Sequence, residues 1–265
     1  MKISIITPSF NSEKTIERTL NSIVYQSHQP LEVIIIDNAS SDQTLAIAKK
    51  ILEAKVEYKI ISEKDQGISD AFSKGVKNST GEIIGILNSD DEYFDKDVIK
   101  RIAEVFENKN IDFVHGDMQF VDEHYGTDLR KPLLCSLTYA MPYNHPSLFL
   151  RKKIYDEIGL FRLDYKYAMD FELICRMYAD SKNCKYRGAY FDGEPIVKMY
   201  GGGASWVHEY KSVLEVERAL KEHHFWNFQS FYFQSLRKLR IKIKNLFFLL
   251  RLNFIVRVWR KIKWG

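Results

Sequence analysis

The chain has 265 residues, of which 45% are hydrophobic and 14% aromatic, so it can bury a sizeable core and is neither disordered nor fibrous. Its formal net charge of +4 hides an asymmetry. Ten basic residues and no acidic ones lie between Leu236 and the C-terminus, which leaves residues 1–235 with a net charge of −6. An acidic body with a basic tail predicts that the tail meets an anionic surface.

The sequence indicates neither export nor membrane insertion. The three cysteines, Cys135, Cys175 and Cys184, have no metal-site spacing and form an odd set, which is typical of a reducing compartment. The N-terminus lacks the features of a signal peptide, and the longest apolar stretch, residues 246–258, is too short and too interrupted for a transmembrane helix. We therefore expect a cytoplasmic protein.

The first part of the chain alternates short apolar runs with helical periodicity. The apolar runs predict strands at 3–6, 33–36, 58–61 and 83–87, and apolar residues spaced three or four apart predict helices over 16–24, 45–52, 68–76 and 98–106. This order predicts an α/β fold in which helices flank a mostly parallel central sheet.

The second part is less regular. Strands are predicted at 111–121, 147–150 and 195–200, and helices at 154–158 and 171–178. The glycines at 201–203 form either a simple turn or a mobile lid. From about residue 206 the chain is helical and aromatic.

Polar residues follow the four predicted strands of the first part. They are Thr7 to Phe10, Asp37, Glu63 to Asp65, and Asn88 to Asp91. Because ligands bind beyond the carboxyl ends of such a sheet, we expect these residues to converge on one crevice. No glycine-rich turn follows the first strand, which argues against a dinucleotide-binding or P-loop protein.

A nucleotide bound in this crevice would need another way to neutralise its phosphates. A metal ion held by carboxylates, such as those of Asp90 and Asp91, is the obvious means. The alternative is that these aspartates only cap the helix that begins near Val98.

Several segments, taken in order, resemble glycosyltransferase family 2. They are IITPSFN at 5–11, IDNASSD at 36–42, EKDQGISDA at 63–71, GEII at 81–84 with LNSDD at 87–91, and HPS at 145–147 followed by DFEL at 170–173. The resemblance covers residues 3 to about 205. It implies the GT-A fold of nucleotide-diphospho-sugar transferases. Within the family, the sequence is similar to members that build bacterial surface polysaccharides such as O-antigen, capsule and exopolysaccharide.

The resemblance also implies the chemistry. It implies an inverting transfer of a hexosyl or N-acetylhexosaminyl group from a nucleotide-diphosphate sugar, with UDP as the expected carrier. The acceptor is expected to be a saccharide hydroxyl linked to a lipid diphosphate such as undecaprenyl diphosphate. A divalent ion, Mn²⁺ or Mg²⁺, is implied at Asp90 with Asp91 beside it, and Asp170 as general base. Nucleotide-sugar contacts are implied for Thr7, Pro8, Phe10, Asp37, Asp65, Gly67, Asp70, Asp90 and His145.

Two positions depart from the family pattern. Asn88 replaces the first aspartate of the Asp-x-Asp metal motif, which predicts weaker metal binding, and Ser73 stands where many relatives carry asparagine.

The implied site residues also have ordinary structural interpretations. The alternatives are a core aromatic for Phe10, a cap of the following turn through Ser40 or Ser41 for Asp37, a packed loop residue for His145, a glycine that only permits a positive φ for Gly67, and a helix cap for Asp170, with Glu172 as the competing base.

We expect a GT-A catalytic domain at 1–205, with a nucleotide-sugar half at about 1–110 and an acceptor half at about 111–205, and a helical extension at 206–265.

In residues 231–265 bulky apolar residues interleave with basic ones, as in a helix that lies in an anionic membrane interface. This predicts a peripheral protein on the inner face of the cell membrane. The alternatives are an oligomer interface or a packed helix pair, while the aliphatic content disfavours a nucleic-acid partner.

Two other functions stay open. A nucleotidyltransferase also joins a carboxylate-bound metal to an α/β sheet, although it needs a basic, glycine-containing phosphate loop after the first strand. A catalytically weak or inactive relative, which binds nucleotide sugars at a membrane, is kept open by Asn88.

Overall fold

The computed structural model describes residues 1–108, 110–122, 126–201 and 208–249. Its strands are β1 (Ile3–Ser9), β2 (Leu31–Asp37), β3 (Glu57–Ser62), β4 (Ile83–Ile86), β5 (Glu92–Tyr93), β6 (Phe113–Gly116), β7 (Met118–Asp122), β8 (Gly126–Arg130), β9 (Phe149–Arg151), β10 (Gly188–Phe191) and β11 (Val197–Tyr200). Its helices are α1 (Ile16–Val24), α2 (Thr44–Leu52), α3 (Ile68–Asn78), α4 (Val98–Asn108), α5 (Lys152–Ile158), α6 (Met169–Met177), α7 (Glu209–Glu222) and α8 (Phe228–Leu249), and a 3-10 helix spans His145–Ser147.

Within the described residues, seven strands form a mostly parallel sheet in the order β10-β6-β9-β4-β1-β2-β3. Only β9 runs antiparallel, against both β4 and β6. Strands β4 and β6 therefore point the same way, and the carboxyl ends of β1, β2, β3, β4 and β6 lie at one edge. A smaller sheet, β5-β11-β7-β8, adjoins this edge. The predicted α/β architecture with a mostly parallel sheet is confirmed.

Helices cover both faces of the large sheet because its inner strands carry apolar side chains on both faces. Ile5 of β1 packs with α1, α2 and α4, and the next residue, Ile6, points to the other face and packs with α3, α5 and α6. Helix α7 belongs to this second face, where Val216 and Leu220 are buried. The predicted boundary at residue 205 thus separates two segments that share one core.

The strand predicted at 111–121 is in fact two strands in two sheets. β6 ends at Gly116 in the large sheet, and β7 begins at Met118 in the small one. Asp117 lies between them, is buried, and accepts hydrogen bonds from the Tyr190 hydroxyl (2.8 Å) and, on its carbonyl oxygen, from the N–H of Ile196 (2.9 Å). These tertiary partners redirect the chain, and an apolar run alone does not reveal them.

The C-terminal helix α8 lies on α7. Two ion pairs join them, Lys238 to Glu217 at 2.6 Å and Lys244 to Glu209. Several large apolar side chains of α8 remain exposed, namely Phe228, Phe231, Tyr232, Leu239, Ile243 and Leu246. None of the helices in the described ranges is both long and apolar enough to cross a bilayer.

A buried carboxylate ties the opposite, amino-terminal side of the sheet together. Glu32 accepts hydrogen bonds from the Ser4 hydroxyl (2.5 Å) and from the N–H (2.8 Å) and hydroxyl (3.0 Å) of Thr80. Burial would raise the pKa of Glu32, but these hydrogen bonds and the charge of Lys2 outweigh it, and the pKa is lowered. Ionised Glu32 therefore stabilises the fold at pH 7.

We predict that Glu32→Gln lowers the free energy of unfolding by about 1–3 kcal/mol at pH 7, because buried donors lose a charged acceptor. The difference from wild type should shrink as the pH falls below about 4.3, where the unfolded glutamate takes up its proton and the native advantage is lost. Urea unfolding at pH 7 and at lower pH measures this. Glu57→Gln, which removes an exposed partner of Lys2, should change stability by less than about 0.5 kcal/mol. Equal effects of the two substitutions would contradict the argument.

Candidate active site

The loops that follow β1, β2 and β4 lie together at the carboxyl edge of the large sheet, as the strand order predicts. The hydroxyls of Ser12 and Ser89, after β1 and β4, are 2.8 Å apart. The Ser40 hydroxyl, after β2, accepts a hydrogen bond from the N–H of Asn11 at 2.8 Å. Hydrogen bonds between loops thus hold the predicted residues of the first part in one neighbourhood.

Asp37 ends β2 and is fully buried. Its carboxylate accepts hydrogen bonds from the hydroxyls of Ser9 (3.0 Å), Ser40 (2.5 Å) and Ser62 (2.7 Å), and from the N–H of Ser40 (2.9 Å). Asp37 therefore caps the turn at Ser40, which was the alternative interpretation. It also joins the ends of three neighbouring strands, because Ser9 and Ser62 are its register partners in β1 and β3.

The loop after β3 carries Asp65 and Gly67, and Asp70 lies in the first turn of α3. The N–H of Asp65 donates to the side-chain oxygen of Asn38 (2.9 Å), and its carboxylate accepts from the N–H of Gly67 (2.9 Å). Burial raises the pKa of Asp65, and the charge of Asp70 adds to this. Gly67 has a φ of +116°, and an added Cβ would meet no atom within 4 Å, so the backbone angle alone explains the glycine here.

Thr7, Pro8 and Phe10 surround the end of β1, which continues past the predicted strand to Ser9. Thr7 is fully buried, and its hydroxyl has no hydrogen-bond partner in the described part of the chain. Phe10 is 58% exposed, so it is not a core aromatic. An exposed ring beside a strand end suits stacking with a planar ligand.

Asn88 to Asp91 follow β4 and hold two adjacent carboxylates. Asp91 is 1% exposed and accepts hydrogen bonds from the N–H of Tyr200 (3.0 Å) and the amide of Asn88 (3.3 Å). Burial, followed by the charge of Asp90, raises the pKa of Asp91 to about 7. Burial also raises the pKa of Asp90. Carboxylates with raised pKa values beside each other are stabilised in their charged form by a cation.

The local chemistry fits a divalent ion completed by ligands from outside the protein. The side-chain oxygen of Asn88 is buried and has no partner among the described residues. Together with the carboxylate of Asp90 it offers oxygen ligands, as Mg²⁺ and Mn²⁺ prefer. Asp91 is held by two hydrogen bonds and lies beside this pair. No group of three or more His, Cys, Asp or Glu side chains suited to a metal occurs within the described ranges.

Arg18 of α1 and Tyr200 of β11 complete this corner, and sequence reasoning missed both. The Arg18 guanidinium donates to the carbonyl oxygen of Asp90 (2.6 Å) and lies 3.6 Å from the centroid of the Tyr200 ring. The Tyr200 hydroxyl donates to Glu92 at 3.1 Å. These contacts connect the acidic segment to the strand that precedes the glycines at 201–203. One arginine on an amphipathic helix gives no sequence signal of such a role.

His145 and Asp170 lie near each other beside this edge. His145 starts the 3-10 helix and stacks on Phe72 of α3, with ring centroids 5.5 Å apart. Burial lowers the pKa of His145, while the charge of Asp170 acts in the opposite direction, so the imidazole is neutral at pH 7. The Asp170 carboxylate is partly exposed in the first turn of α6 and accepts a hydrogen bond from the N–H of Phe171 (2.8 Å).

Glu172, the competing candidate for a base, is fully buried, and its carboxylate oxygens already have partners. Its carboxylate pairs with Arg176 (2.8 Å) and His223 (3.1 Å). Burial would raise the pKa of Glu172, but these partners outweigh it and the pKa is lowered. Ser73 is also structural, because it is buried and its hydroxyl donates to the carbonyl oxygen of Phe161 (3.1 Å). Asp170 therefore remains the candidate base.

The end of β6 adds two buried polar residues that sequence reasoning missed, His115 and Asp117. His115 is 4% exposed, and its Nδ1 has no hydrogen-bond partner within the described residues. Burial lowers the pKa of His115 to about 4. The Gly-Asp pair that interrupts the apolar run at 111–121 was the available signal. The His115 imidazole packs among the rings of Phe113, Tyr143 and Tyr190, and Asp117 directly follows β6.

Comparisons with known proteins give a family and a fold. The model of the family described as "Glycosyl transferase family 2" matches residues 4–170. A PGL/p-HBAD biosynthesis glycosyltransferase of Mycobacterium tuberculosis is 29% identical over 181 residues, which cover 67% of this chain and 70% of the relative.

Two solved structures share the fold. S. aureus TarS, residues 1–349 in complex with UDP-GlcNAc, has a TM-score of 0.69 at 22% identity, with 84% of this chain and 65% of that chain covered. The mannosyltransferase PcManGT from Pyrobaculum calidifontis, in complex with GDP-Man and Mn²⁺, has a TM-score of 0.64 at 16% identity, with 97% and 80% covered. This chain thus spans slightly less than two thirds of the TarS chain, and both likenesses concern the fold alone.

We predict that Asn88→Asp strengthens metal binding, because it adds a carboxylate beside Asp90. In the presence of UDP, the Mn²⁺ concentration that gives half of the maximal thermal shift should fall about tenfold. Without metal, the variant should melt at a lower temperature than wild type, since a third negative charge joins two others. Thermal-shift titration with Mn²⁺ measures both effects.

Asn110→Asp is the matched control, because it adds the same charge in the exposed turn before β6, away from the carboxyl edge. It should leave the Mn²⁺ dependence unchanged. An Asn88→Asp variant with wild-type Mn²⁺ dependence would exclude Asn88 from the metal site.

Proposed function

The chain belongs to glycosyltransferase family 2, and we propose that it transfers a sugar from a UDP-sugar to a hydroxyl group of a lipid-diphosphate-linked saccharide in one inverting displacement. One observation carries this proposal. The loops after β1, β2 and β4, which hold acidic residues, lie together at one edge of the sheet, with His145 and Asp170 beside them. Binding of a nucleotide diphosphate and removal of a proton from a hydroxyl are the two tasks that this arrangement suits.

The donor side of the proposal rests on the residues around β1 to β4. The Phe10 ring would stack on the base, with Thr7 and Pro8 beside it. Asp37, whose carboxylate is buried and hydrogen-bonded, would hold the loops around the base or ribose in place. Asp65, Gly67 and Asp70 would adjoin the ribose and sugar. UDP is proposed because TarS, the neighbour with the higher TM-score, was solved with UDP-GlcNAc. This likeness also supports a hexosyl or N-acetylhexosaminyl group as the one transferred.

We propose that Asp90 and the side-chain oxygen of Asn88 hold Mn²⁺ or Mg²⁺, with Asp91 beside them. A bound ion neutralises charge that develops on the leaving diphosphate. PcManGT, a neighbour in fold, was solved with Mn²⁺. The raised pKa values of Asp90 and Asp91 favour the same assignment, because a cation would offset their burial.

Asp170 is the proposed general base. Its carboxylate is partly exposed, whereas Glu172 is saturated by Arg176 and His223. As the acceptor oxygen attacks the anomeric carbon, Asp170 would take the proton from that oxygen. Neutral His145, close to Asp170, would orient the carboxylate or contact the diphosphate or acceptor through a ring nitrogen.

A second candidate function is a weakly active or inactive protein that binds nucleotide sugars at a membrane. Asn88 favours it, because an amide removes one negative charge from the metal motif. A nucleotidyltransferase is disfavoured by the absence of a glycine-containing loop after β1 in the sequence. Release of UDP from UDP-GlcNAc in the presence of Mn²⁺ distinguishes the enzyme from the inactive binder.

We predict that Asp170→Asn lowers turnover by about 10²- to 10⁴-fold, the usual contribution of a general base. Donor binding should persist, because Asp170 lies outside the loops proposed to hold the nucleotide. Steady-state release of UDP and thermal shift with UDP-GlcNAc measure these two properties. Asp156→Asn, on the exposed side of α5, is the control and should behave as wild type. Near wild-type turnover of Asp170→Asn would rule out this base.

We further propose that residues 206–265 extend the catalytic unit of residues 1–205 and dock it, through residues 231–265, on the inner face of the cell membrane. The support is a row of exposed apolar side chains on α8, which lies beside the exposed cations Arg240 and Lys242. This apolar stripe consists of Phe228, Phe231, Tyr232, Leu239, Ile243 and Leu246. The portion of this segment beyond residue 249 lies outside the described residues. A surface docked in this way would face an acceptor carried on undecaprenyl diphosphate.

We predict that the double substitution of Leu239→Glu and Ile243→Glu weakens binding to vesicles containing anionic phospholipid at least about tenfold. Two exposed apolar side chains lose their burial in the lipid interface and two negative charges are added. Vesicle flotation measures the bound fraction. The control, Gln229→Glu with Asn245→Glu, adds the same charge at exposed positions off the stripe and should retain more binding. Equal losses in the two variants would leave charge alone as the cause.

A further inference from the structure

We propose that Glu215 of α7 is a positioning residue for Asp170, because its carboxylate holds the loop that enters α6. The inference rests on the proposed role of Asp170 as the base and extends it to the C-terminal part of the chain. In this view α7 is not an appendage of the catalytic body but one of the elements that fix the geometry of the reaction.

The Glu215 carboxylate gathers three consecutive backbone N–H groups. It accepts hydrogen bonds from Lys166 (3.0 Å to each oxygen), Tyr167 (2.8 Å) and Ala168 (2.9 Å). These residues immediately precede Met169, where α6 begins. Three charge-assisted hydrogen bonds to successive residues leave this short stretch of backbone little freedom to move.

Glu215 also contributes electrostatically at the start of α6. The N-cap residue is Ala168, whose side chain cannot accept a hydrogen bond from the first turn, and the N–H of Phe171 in that turn is bound by the Asp170 carboxylate instead. Glu215 binds the N–H of Ala168 itself, so its negative charge lies at the positive end of the helix dipole. The favourable charge and the hydrogen bonds act at the same point of the chain, directly before Asp170.

The same loop is fixed from its other side by α3. The Ser69 hydroxyl donates to the carbonyl oxygen of Tyr165, and the Ser73 hydroxyl donates to that of Phe161 at 3.1 Å. Helix α3 follows the loop that carries Asp65 and Gly67. The segment before α6 is therefore held between an element of the proposed donor side and the C-terminal helix α7.

Asp170 depends on this backbone for its position. Its carboxylate accepts a hydrogen bond from the N–H of the next residue, Phe171, so this bond moves together with the helix start. A base must stand within hydrogen-bond reach of the hydroxyl that it deprotonates. A shift of about 1 Å in a reacting group costs about 100-fold in rate. Loosening of the Lys166–Ala168 backbone should therefore lower turnover without touching the donor loops.

The test compares Glu215→Ala and Glu215→Gln with wild type and Asp170→Asn. UDP-GlcNAc with Mn²⁺ is the probe, and release of UDP, with water or an added acceptor, gives kcat and the donor KM. Turnover is expressed per donor-binding site and is measured well below the melting temperature. Glu217→Gln is the matched control, because it neutralises a carboxylate of the same helix that pairs with Lys238 of α8.

We expect Glu215→Ala to lower kcat about 10- to 100-fold while the donor KM stays unchanged. Glu215→Gln, which keeps one oxygen acceptor and the side-chain volume, should lie between Ala and wild type, and Glu217→Gln should match wild type. A merely structural role would lower the melting temperature and the number of binding sites but leave kcat per site unchanged.

Two results overturn the proposal in distinguishable ways. Wild-type kcat per site in both Glu215 variants, with Asp170→Asn inactive, would remove Glu215 and leave the proposed function standing. An active Asp170→Asn would remove the base itself and, with it, the reason for positioning. If Glu215→Ala does not fold, the kcat per site of Glu215→Gln decides alone: a lowered value supports the proposal, and a wild-type value overturns it.

Discussion

The register of the parallel strands β1, β2 and β3 is the constraint on which the site depends. Ser9, Asp37 and Ser62 stand opposite one another at the strand ends, and the Asp37 carboxylate binds both serine hydroxyls. A slip of one residue would turn Asp37 to the other face of the sheet and separate these groups. Because the strands end level, the loops after them begin at one edge and are close enough to join by short hydrogen bonds.

Four carboxylates that are buried or half-buried show two kinds of environment. Glu32 and Glu172 are buried, yet their hydrogen-bonding and charged partners lower their pKa values. Asp90 and Asp91 are also shielded from water, but their partners do not outweigh burial, and their pKa values are raised. The protein alone stabilises the first kind in the ionised form. A further positive charge would stabilise the second kind in the ionised form, and perturbed carboxylates of this sort concentrate at functional sites.

The first part of the chain was predictable because its signals are local. Ile3–Ile6 and Val33–Ile36 are short, mostly apolar runs, and both lie in buried strands. The rest depended on distant partners. The break at Asp117 rests on Tyr190 and Ile196, and no local pattern announces them. The roles of Arg18 and Glu215 are of the same kind, because each acts on backbone groups of a segment far away in sequence.

The contacts of α8 change how the basic composition of the tail is interpreted. Its basic residues suggest electrostatic attraction, but in the described part Lys238 and Lys244 already pair with acids of α7. Arg240 and Lys242 remain exposed next to an apolar stripe. Burial of that stripe would then contribute more to docking than charge does, since each apolar side chain contributes about 1.5–3 kcal/mol and each cation about 1 kcal/mol. The paired lysines instead hold α8 on α7, the helix whose Glu215 reaches the loop before Asp170.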